Sequence, residues 1–561
     1  METLARNRYI WTPAGRLTTM DLTSAYWTLK LVPRASRLTG FCWMGRYLVW
    51  LGLPFGINEA CRIFQTIMNA IWRPMRCGRR ACIPRPHPDS ETPRAADRAR
   101  RTPGLVGLTY IDDVVVTART ACEARWMTAY LLVTLMRTGW IVSWPKSNLI
   151  PRPVGIVLGV RVNLTDFTYN VTDKMRDKIV ASADAVLLAA DTGTKIPVRA
   201  LASFCGKVMS TFLAVGDPAY IFTKKSYELL ARAVHIPHAS PRRSWIRAAW
   251  RATTRITPAA AQEAAYWRAT IRAISGAPIA PRVIPARLVA LAAADTSDTA
   301  SGGFFIENGT AQLQLFRQWL RPTEVEASST TRELLGIARL LRATAPGIKA
   351  PWVQVFCDSQ CGFRALRRGS KTPAVHAAAQ QVWTAAMLAG KTLLPAWLPR
   401  TTREITLCDE LSKVVAGQDW QLDPAVFQLL ATRYGQPSVD AFADEGNAQI
   451  PRFFSRFWVE GTAGVDAFAQ DWRAEQLVYA YPPFECVGRV YRHVMMMEAK
   501  AIIVAPAGSA APWATMLQPG SPGVVDATRI PPKAGLVRGR QGVDATPRDG
   551  LIAALVHGFR V

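Results

Sequence analysis

The sequence predicts a multidomain α/β protein on three observations. Its 561 residues suggest three or four domains at about 150 residues each. Hydrophobic residues make up 49% and charged residues 19%, which is enough to bury several cores and too apolar for general disorder. Short strand-like runs alternate with segments of helical periodicity through most of the chain. Lys and Arg number 68 against 41 Asp and Glu, a net charge of +27 carried mainly by Arg. That excess predicts a polyanionic partner, nucleic acid before membrane, because counterion release rewards Arg and Lys on phosphates. No membrane association is expected: no apolar run reaches the roughly 18 residues of a span, and Met1 to Arg6 lacks the apolar core of a signal peptide. The ten Cys are scattered, which fits a reducing intracellular compartment, cytoplasm or nucleus. Cys77 and Cys82 have His87 nearby but no fourth ligand at zinc-finger spacing, so free thiols are expected throughout.

The elements follow in order. Thr18-Thr19-Met20-Asp21 reads as a strand ending in an acid, with Tyr26 five residues on. Phe41-Cys42-Trp43, a turn at Met44-Gly45 and Arg46 to Trp50 read as a hairpin. Leu53-Pro54-Phe55-Gly56 turns into a helix whose apolar positions Ala60, Phe64, Ile67, Met68 and Ile71 follow the 3, 4 spacing. Residues 77–105, rich in Pro and Arg, read as a loop insertion. Leu108 to Val116 then places Asp112-Asp113 between two β-branched or aromatic runs, the pattern of a hairpin tip. Phosphoryl transfer to a 3′-hydroxyl uses two divalent cations about 4 Å apart. Mg²⁺ prefers carboxylates plus substrate phosphates, which Asp21, Asp112 and Asp113 can supply. An ordinary turn pair at Asp112-Asp113 is the plainer alternative.

The ordered series Asp21 with Tyr26, Leu53-Pro54-Phe55-Gly56 with Phe64-Gln65, Tyr110-Ile111-Asp112-Asp113, Trp144-Pro145-Lys146-Ser147 and Leu158-Gly159 resembles the palm of reverse transcriptases across residues 15–165. The resemblance implies a palm over 1–173. Asp21, Asp112 and Asp113 would hold two Mg²⁺ (or Mn²⁺), and Tyr26 would be a steric gate against a ribose 2′-hydroxyl. Phe55 and Gly56 would shape the nucleotide pocket, with Lys146 near the triphosphate. In the family a fingers segment precedes the first motif; here 20 residues precede Asp21, so weak polymerisation is expected. The Ala-rich 174–280 region resembles the family's thumb and connection, with Lys207, Lys224, Lys225, Arg242 and Arg243 available to a duplex backbone.

A second constellation follows. Val289 to Ala294 leads into Asp295; Gly302-Gly303 starts a strand closed by an Asn308-Gly309 turn, and 310–316 alternate as a third strand. Ser329-Thr330-Thr331-Arg332-Glu333 opens an apolar-striped helix; Val353 to Cys357 is a strand ending at Asp358; Asp409 lies at an expected helix start. Strand Asp, helix Glu, strand Asp, helix Asp resembles ribonuclease H over 286–415. The resemblance implies that Asp295, Glu333, Asp358 and Asp409 hold two Mg²⁺ around a scissile phosphate. No His lies between Trp397 and Asp409, where some ribonucleases H carry a mobile one.

Residues 420–520 read as a further α/β module. Ser438 to Ala443, Gly464 to Phe468 and Tyr481-Pro482-Pro483-Phe484 resemble the region after ribonuclease H in DIRS-like retrotransposon polyproteins. The last segment also resembles the Asn-Pro-Pro-Tyr motif of adenine N6-methyltransferases, with Tyr481 in place of the Asn. A methyltransferase-like fold without S-adenosylmethionine is expected, and 521–561 reads as a loose tail. Together these resemblances imply an RNA-directed DNA polymerase with ribonuclease H activity, N-terminally truncated. Its partners would be an RNA template, a DNA primer, the RNA–DNA hybrid and deoxynucleoside triphosphates. The alternative is a decayed or co-opted nucleic-acid-binding protein.

Overall fold

The structure is a computed structural model that describes residues 4, 8–57, 59–76, 106–234, 252–274, 276–279, 288–307, 313–414, 420–508, 510–533, 535–539, 544–545 and 548–559. The 77–105 insertion, the Asn308-Gly309 turn and the Arg242-Arg243 pair lie outside them. The chain divides into two compact units, Met1–Ile284 and Pro285–Val561.

In the first unit β1 (Arg16–Asp21) is followed by a small hairpin, β2 (Phe41–Trp43) and β3 (Arg46–Leu48), and by helix α1 (Ala60–Arg76). Then come β4 (Gly107–Tyr110), β5 (Asp113–Ala118), α2 (Ala121–Arg137) and β6 (Asn148–Arg152). The main sheet has the order β4-β5-β1-β6. Its pairs are antiparallel. Ala60, Phe64, Met68 and Trp72 of α1 are buried at the predicted spacing, and α2 buries Ala124, Thr128, Leu131 and Leu135. Both helices pack on the sheet through Met20, Val114 and Val116. A second sheet holds β7 (Val154–Val157), β8 (Val160–Asn163) and β9 (Thr168–Val171), with Ala277–Pro278 added beside β9.

Helices α3 (Asp173–Asp191), α4 (Val198–Ser210), α5 (Lys224–Ala233) and α6 (Pro258–Thr270) follow. Glu263 of α6 is fully buried, and its carboxylate accepts from the backbone N–H groups of Lys225 (2.7 Å) and Ser226 (2.8 Å), capping α5 from a neighbouring helix. Lys225 pairs with Glu228 at 2.9 Å and Lys207 donates to Ser182. Each of these two lysines thus has a partner within the helical region.

The second unit opens with β10 (Val289–Thr296), β11 (Ala300–Glu307) and β12 (Leu313–Trp319), then α7 (Ser329–Thr344), β13 (Trp352–Cys357), α8 (Pro373–Leu388), β14 (Thr392–Trp397) and α9 (Arg403–Lys413). The sheet order is β12-β11-β10-β13-β14. The first three strands are antiparallel neighbours, and β10, β13 and β14 run parallel. A Cβ at Gly302 would lie 2.3 Å from the Ser412 backbone N, so glycine there lets α9 lie directly on β11. Asp409 sits well inside α9, not at a helix start: the helix begins at Arg403 with Thr402 as N-cap, because the residues before Asp409 already continue the apolar spacing Ile405, Cys408, Leu411.

The last region carries α10 (Pro424–Tyr434), β15 (Val439–Asp440), β16 (Val478–Ala480), α11 (Val487–Met497), β17 (Lys500–Pro506), β18 (Val524–Ile530) and β19 (Leu551–His557). Its sheet has the order β15-β16-β17-β19-β18. The first three strands are parallel, and β19 is antiparallel to both of its neighbours. The expected loose tail is a correction: β18 and β19 are integral strands, and Leu551, Ala553, Ala554 and Val556 are fully buried. β19 is apolar up to its final His557, so no alternation marks it, and the Pro- and Gly-rich residues before it hide it.

Strand β12, the edge of the five-stranded 289–397 sheet, is covered from the C-terminal region. Trp458 N donates to Leu315 O (2.9 Å) and Arg317 N to Trp458 O (3.2 Å). The Trp458 indole donates to Gln314, and Glu460 pairs with Arg342 (3.3 Å) and Arg321 (3.6 Å). Among the described residues no helix is long and apolar enough to cross a membrane.

Candidate active sites

The first site is built by strand register. Asp21 ends β1 and Asp113 begins β5, and the two are direct antiparallel partners. Tyr110 pairs with Asp113, leaving Ile111-Asp112 as a two-residue turn. Ile111 has φ +56°, a left-handed conformation that a β-branched residue rarely adopts. Gln65, buried on α1, compensates. Its Oε1 accepts from Ile111 N (2.9 Å), while its Nε2 donates to Thr109 O (3.1 Å) and Thr109 Oγ1 (3.0 Å). The turn that presents Asp112 is therefore clamped from behind by one side chain.

Segment 143–147 clasps Asp21 from the other side. Asp21 N donates to Ser147 Oγ (3.0 Å), Ser143 N donates to Asp21 O (2.7 Å), and Lys146 Nζ lies 3.6 Å from the Asp21 carboxylate. The Asp113 carboxyl is held above its ordinary range by lost hydration first, then by Asp112 and Asp21, with Lys146 opposing. Tyr26 is buried; its ring lies 4.8 Å from Phe55 and 5.0 Å from Phe64, and its hydroxyl donates to Cys61 Sγ (3.1 Å). Burial, then the Cys61 contact, push that hydroxyl well up. Phe55 is exposed, and Gly56, at φ +93°, has open space where a Cβ would point.

The second site draws on four elements. Asp295 lies near the end of β10, Glu333 on α7, Asp358 just past β13 and Asp409 on α9. Glu333 and Asp358 are buried, with Cys357 Sγ beside them; among the described residues these three form the one group whose possible ligand atoms all lie within 4.8 Å of one another. The Asp295 carboxyl is raised by burial, with Asp358 and Asp409 adding to the effect, which places Asp409 in the same field. Glu333 is pushed up to about 7, by burial first and then by Asp358 and Asp295. The Cys357 thiol is pushed up to about 12 by burial, so it stays protonated and offers no thiolate.

The residues fit a hard divalent cation. The donor set is carboxylate oxygen, and Glu333 Oε2 is buried without a hydrogen-bond partner. Arg400 stands over the pair. Its Nε donates to Asp358 Oδ2 at 2.7 Å and its Nη2 lies 4.0 Å from Glu333 Oε1, while its side chain is 77% exposed. Lys413 pairs with Asp409 at 2.7 Å. Asp298 is a surface residue paired with Arg332 (2.9 Å), apart from this cluster. Sequence reading missed Gln65 as the turn clamp and Arg400 as the cation over the acids. A lone amide in an apolar helical stripe is the signal for the first; for the second, the stretch without His holds an Arg nine residues before Asp409.

An antiparallel sheet with two flanking helices and acids at one end is the layout of a polymerase palm. Residues 12–162 match the family model described as reverse transcriptase (RNA-dependent DNA polymerase), so this stretch carries a reverse transcriptase domain. The Pro-Pol polyprotein of Simian foamy virus type 1 is 24% identical over 163 residues, 29% of this chain and 11% of that protein. The Gag-Pol polyprotein of Woolly monkey sarcoma virus is 24% identical over 225 residues, 38% of this chain and again 11% of the relative. The chain thus spans about a tenth of these polyproteins. A solved foamy viral protease-reverse transcriptase in complex with double-stranded DNA aligns over 71% of this chain and 59% of that one, at 14% identity and a TM-score of 0.36.

Proposed function

We propose that the chain copies RNA into DNA at the Asp21, Asp112, Asp113 site and cuts the RNA of the resulting hybrid at the Asp295, Glu333, Asp358, Asp409 site, as part of a DIRS-like retrotransposon polyprotein. The observation that carries the first half is the register that sets Asp21 against Asp113 beside the Gln65-clamped turn, inside the matched reverse transcriptase segment. There Asp21, Asp112 and Asp113 would hold two Mg²⁺, which supply charge stabilisation to the in-line displacement. Lys146 offers a charge to the triphosphate, and Phe55 with Gly56 leaves room for a nucleotide. In the second half Glu333, Asp358, Asp295 and Asp409 would hold the metals, and the orphaned Glu333 Oε2 is the oxygen most in need of one.

The C-terminal sheet, parallel strands with one antiparallel strand inserted beside the last, supports a methyltransferase-like fold. Tyr481 belongs to its hydrophobic core, which favours a structural role without S-adenosylmethionine. The test is primer extension on an RNA template with deoxynucleotides and Mg²⁺, with hybrid cleavage assayed in the same preparation. Extension that disappears in the Asp112→Asn, Asp113→Asn double variant supports the polymerase reading. Hybrid binding by the parent chain with neither activity supports the co-opted binding protein instead.

A further inference from the structure

Helix α2 is apolar on two opposite faces. Its inner face buries Ala124, Thr128, Leu131 and Leu135, and Thr128 Oγ1 meets Thr18 Oγ1 of β1 at 2.7 Å. The other side carries a second stripe, Cys122, Trp126, Ala129, Val133 and Met136, at spacings of 4, 3, 4 and 3 residues. Cys122 and Ala129 are exposed, Val133 is 47% and Met136 57% exposed, and Trp126 is half-buried. The Trp126 ring stacks with Tyr130, 6.0 Å between centroids. Glu123, Arg125 and Arg137 are the only charges on the helix, and Glu123 is held in a capping box with Thr120.

A helix that covers a sheet normally turns charged and polar residues outward. Here the outward positions are apolar, and their 4, 3 repeat is the seam that two helices share when they pack side by side, each side chain in a hole on the facing helix. The stripe runs about 21 Å along the axis at 1.5 Å per residue. Its side-chain volumes decide what fits it. In a parallel pair of identical helices Trp126 would face Trp126 and Ala129 would face Ala129, crowding one layer and leaving a gap in the next. In an antiparallel pair Trp126 of each copy stands level with Ala129 of the other, and Cys122 with Val133. Each layer then sets a larger side chain against a smaller one. Antiparallel helices also oppose their macrodipoles. Arg119, exposed just before the helix, comes level with Met136 of the second copy and can lay its methylene stem over it.

We propose that the outer stripe of α2 is a docking surface for a second copy of this chain, the two α2 helices packing antiparallel about a two-fold axis that passes between Met127 and Thr128. The interface is isologous: the same patch serves both copies. A single helix pair of this length buries less than about 1,200 Å², the small and transient class of interface, so association is reversible. The pairing stands apart from either catalytic reading and enters through neither activity.

The test is sedimentation equilibrium of the full chain from about 1 to 100 µM, the window for an interface of that class. High salt keeps copurified nucleic acid from bridging copies. The parent should show a monomer–dimer equilibrium. Trp126→Ala removes the large partner from both central layers and should weaken association by at least about tenfold, as truncation of a central aromatic anchor does. Ala129→Trp sets two large rings against each other and should weaken it too. The combined variant, Trp126→Ala with Ala129→Trp, exchanges large and small in both copies and should return towards the parent constant, which a misfolded helix would not do. Val133→Cys brings a thiol level with Cys122 of the second copy; mild oxidation should yield a cross-linked dimer, and adding Cys122→Ser should abolish it. A parent that stays monomeric over the whole range overturns the proposal. A dimer that neither single substitution weakens also overturns it, by placing the interface elsewhere. So does a dimer that cross-links no better with Val133→Cys than without it, which is incompatible with the antiparallel register.

Discussion

The two acid clusters are wired in opposite ways. Asp21 and Asp113 meet because two antiparallel strands are in register, and Asp112 rides a turn held by one buried amide. The cluster opens outward: Asp113 is exposed, and the nearby cation, Lys146, is itself mostly in solvent. The second cluster comes from two strand ends and two helices, with Glu333 and Asp358 buried and Arg400 lying over them. Burial makes the difference chemical. At the turn solvent still reaches Asp113, whose carboxyl is nonetheless held above its ordinary range, by lost hydration first. Around Glu333 little water is available, so one carboxyl is pushed up to about 7 and a guanidinium offsets the rest.

The strongest way to break this comparison is to exchange charge for an isosteric amide in each cluster. Asp113→Asn should reduce primer extension by about 10³-fold or more, several kcal/mol at 1.36 kcal/mol per tenfold, and leave hybrid cleavage intact. Glu333→Gln should do the reverse. If either change abolished both activities, the two clusters would not be independent centres. Gln65→Ala tests the clamp. It removes the Gln65 acceptor of the Ile111 N–H, at about 1–3 kcal/mol, and should slow extension roughly 10- to 100-fold without moving cleavage. Rapid-quench kinetics should place that loss in kcat more than in KM.

A smaller effect sharpens the comparison at the second cluster. At pH 8, with Glu333 ionised, Arg400→Ala should tighten Mn²⁺ binding about two- to fivefold, the scale of a largely exposed ion pair, because a competing cation is removed. Calorimetric titration in the absence of nucleic acid reads this directly. The smallest effect is on stability. A carboxyl whose folded value lies above its unfolded one holds its proton more tightly in the fold. Its contribution is complete below about pH 4 and is lost as pH rises through the folded value. For Glu333 that value is about 7, so the metal-free melting temperature should fall between pH 5 and 8.5, and Glu333→Gln should flatten part of that slope. Asp440 and Glu263, also raised to about 7 by burial, should account for much of the remainder.

Legibility followed the range of the interaction that decides each feature. β1, the β2–β3 hairpin and α1 were readable because their signals are local: a 3, 4 stripe that buries Phe64, Met68 and Trp72, and a Met44-Gly45 turn with both φ values positive. The order of acids along the chain was readable too, and the structure brings Asp295, Glu333, Asp358 and Asp409 into one field. The position of Asp409 within α9 was legible in the Ile405, Cys408, Leu411 spacing, and the expectation of a helix start at Asp409 passed over that stripe. The roles of Gln65 and Arg400 depend on partners 46 and 42 positions away, beyond any periodicity. Strand β19 escaped because its sheet neighbours are the only reason that its apolar run is a strand rather than a tail.

The cap on β12 has a consequence for synthesis. The strand ends at Trp319, but the residue that closes its open edge is Trp458, 139 positions later by subtraction. At about 5–20 residues per second a ribosome needs roughly 7–28 s to make the difference. For that interval the nascent 289–397 sheet carries unpaired backbone groups along one side, a template on which a neighbouring chain on the same messenger can add a strand. Dense polysomes should therefore yield more aggregate than sparse ones, and a message ending near residue 415 should leave the edge open for good.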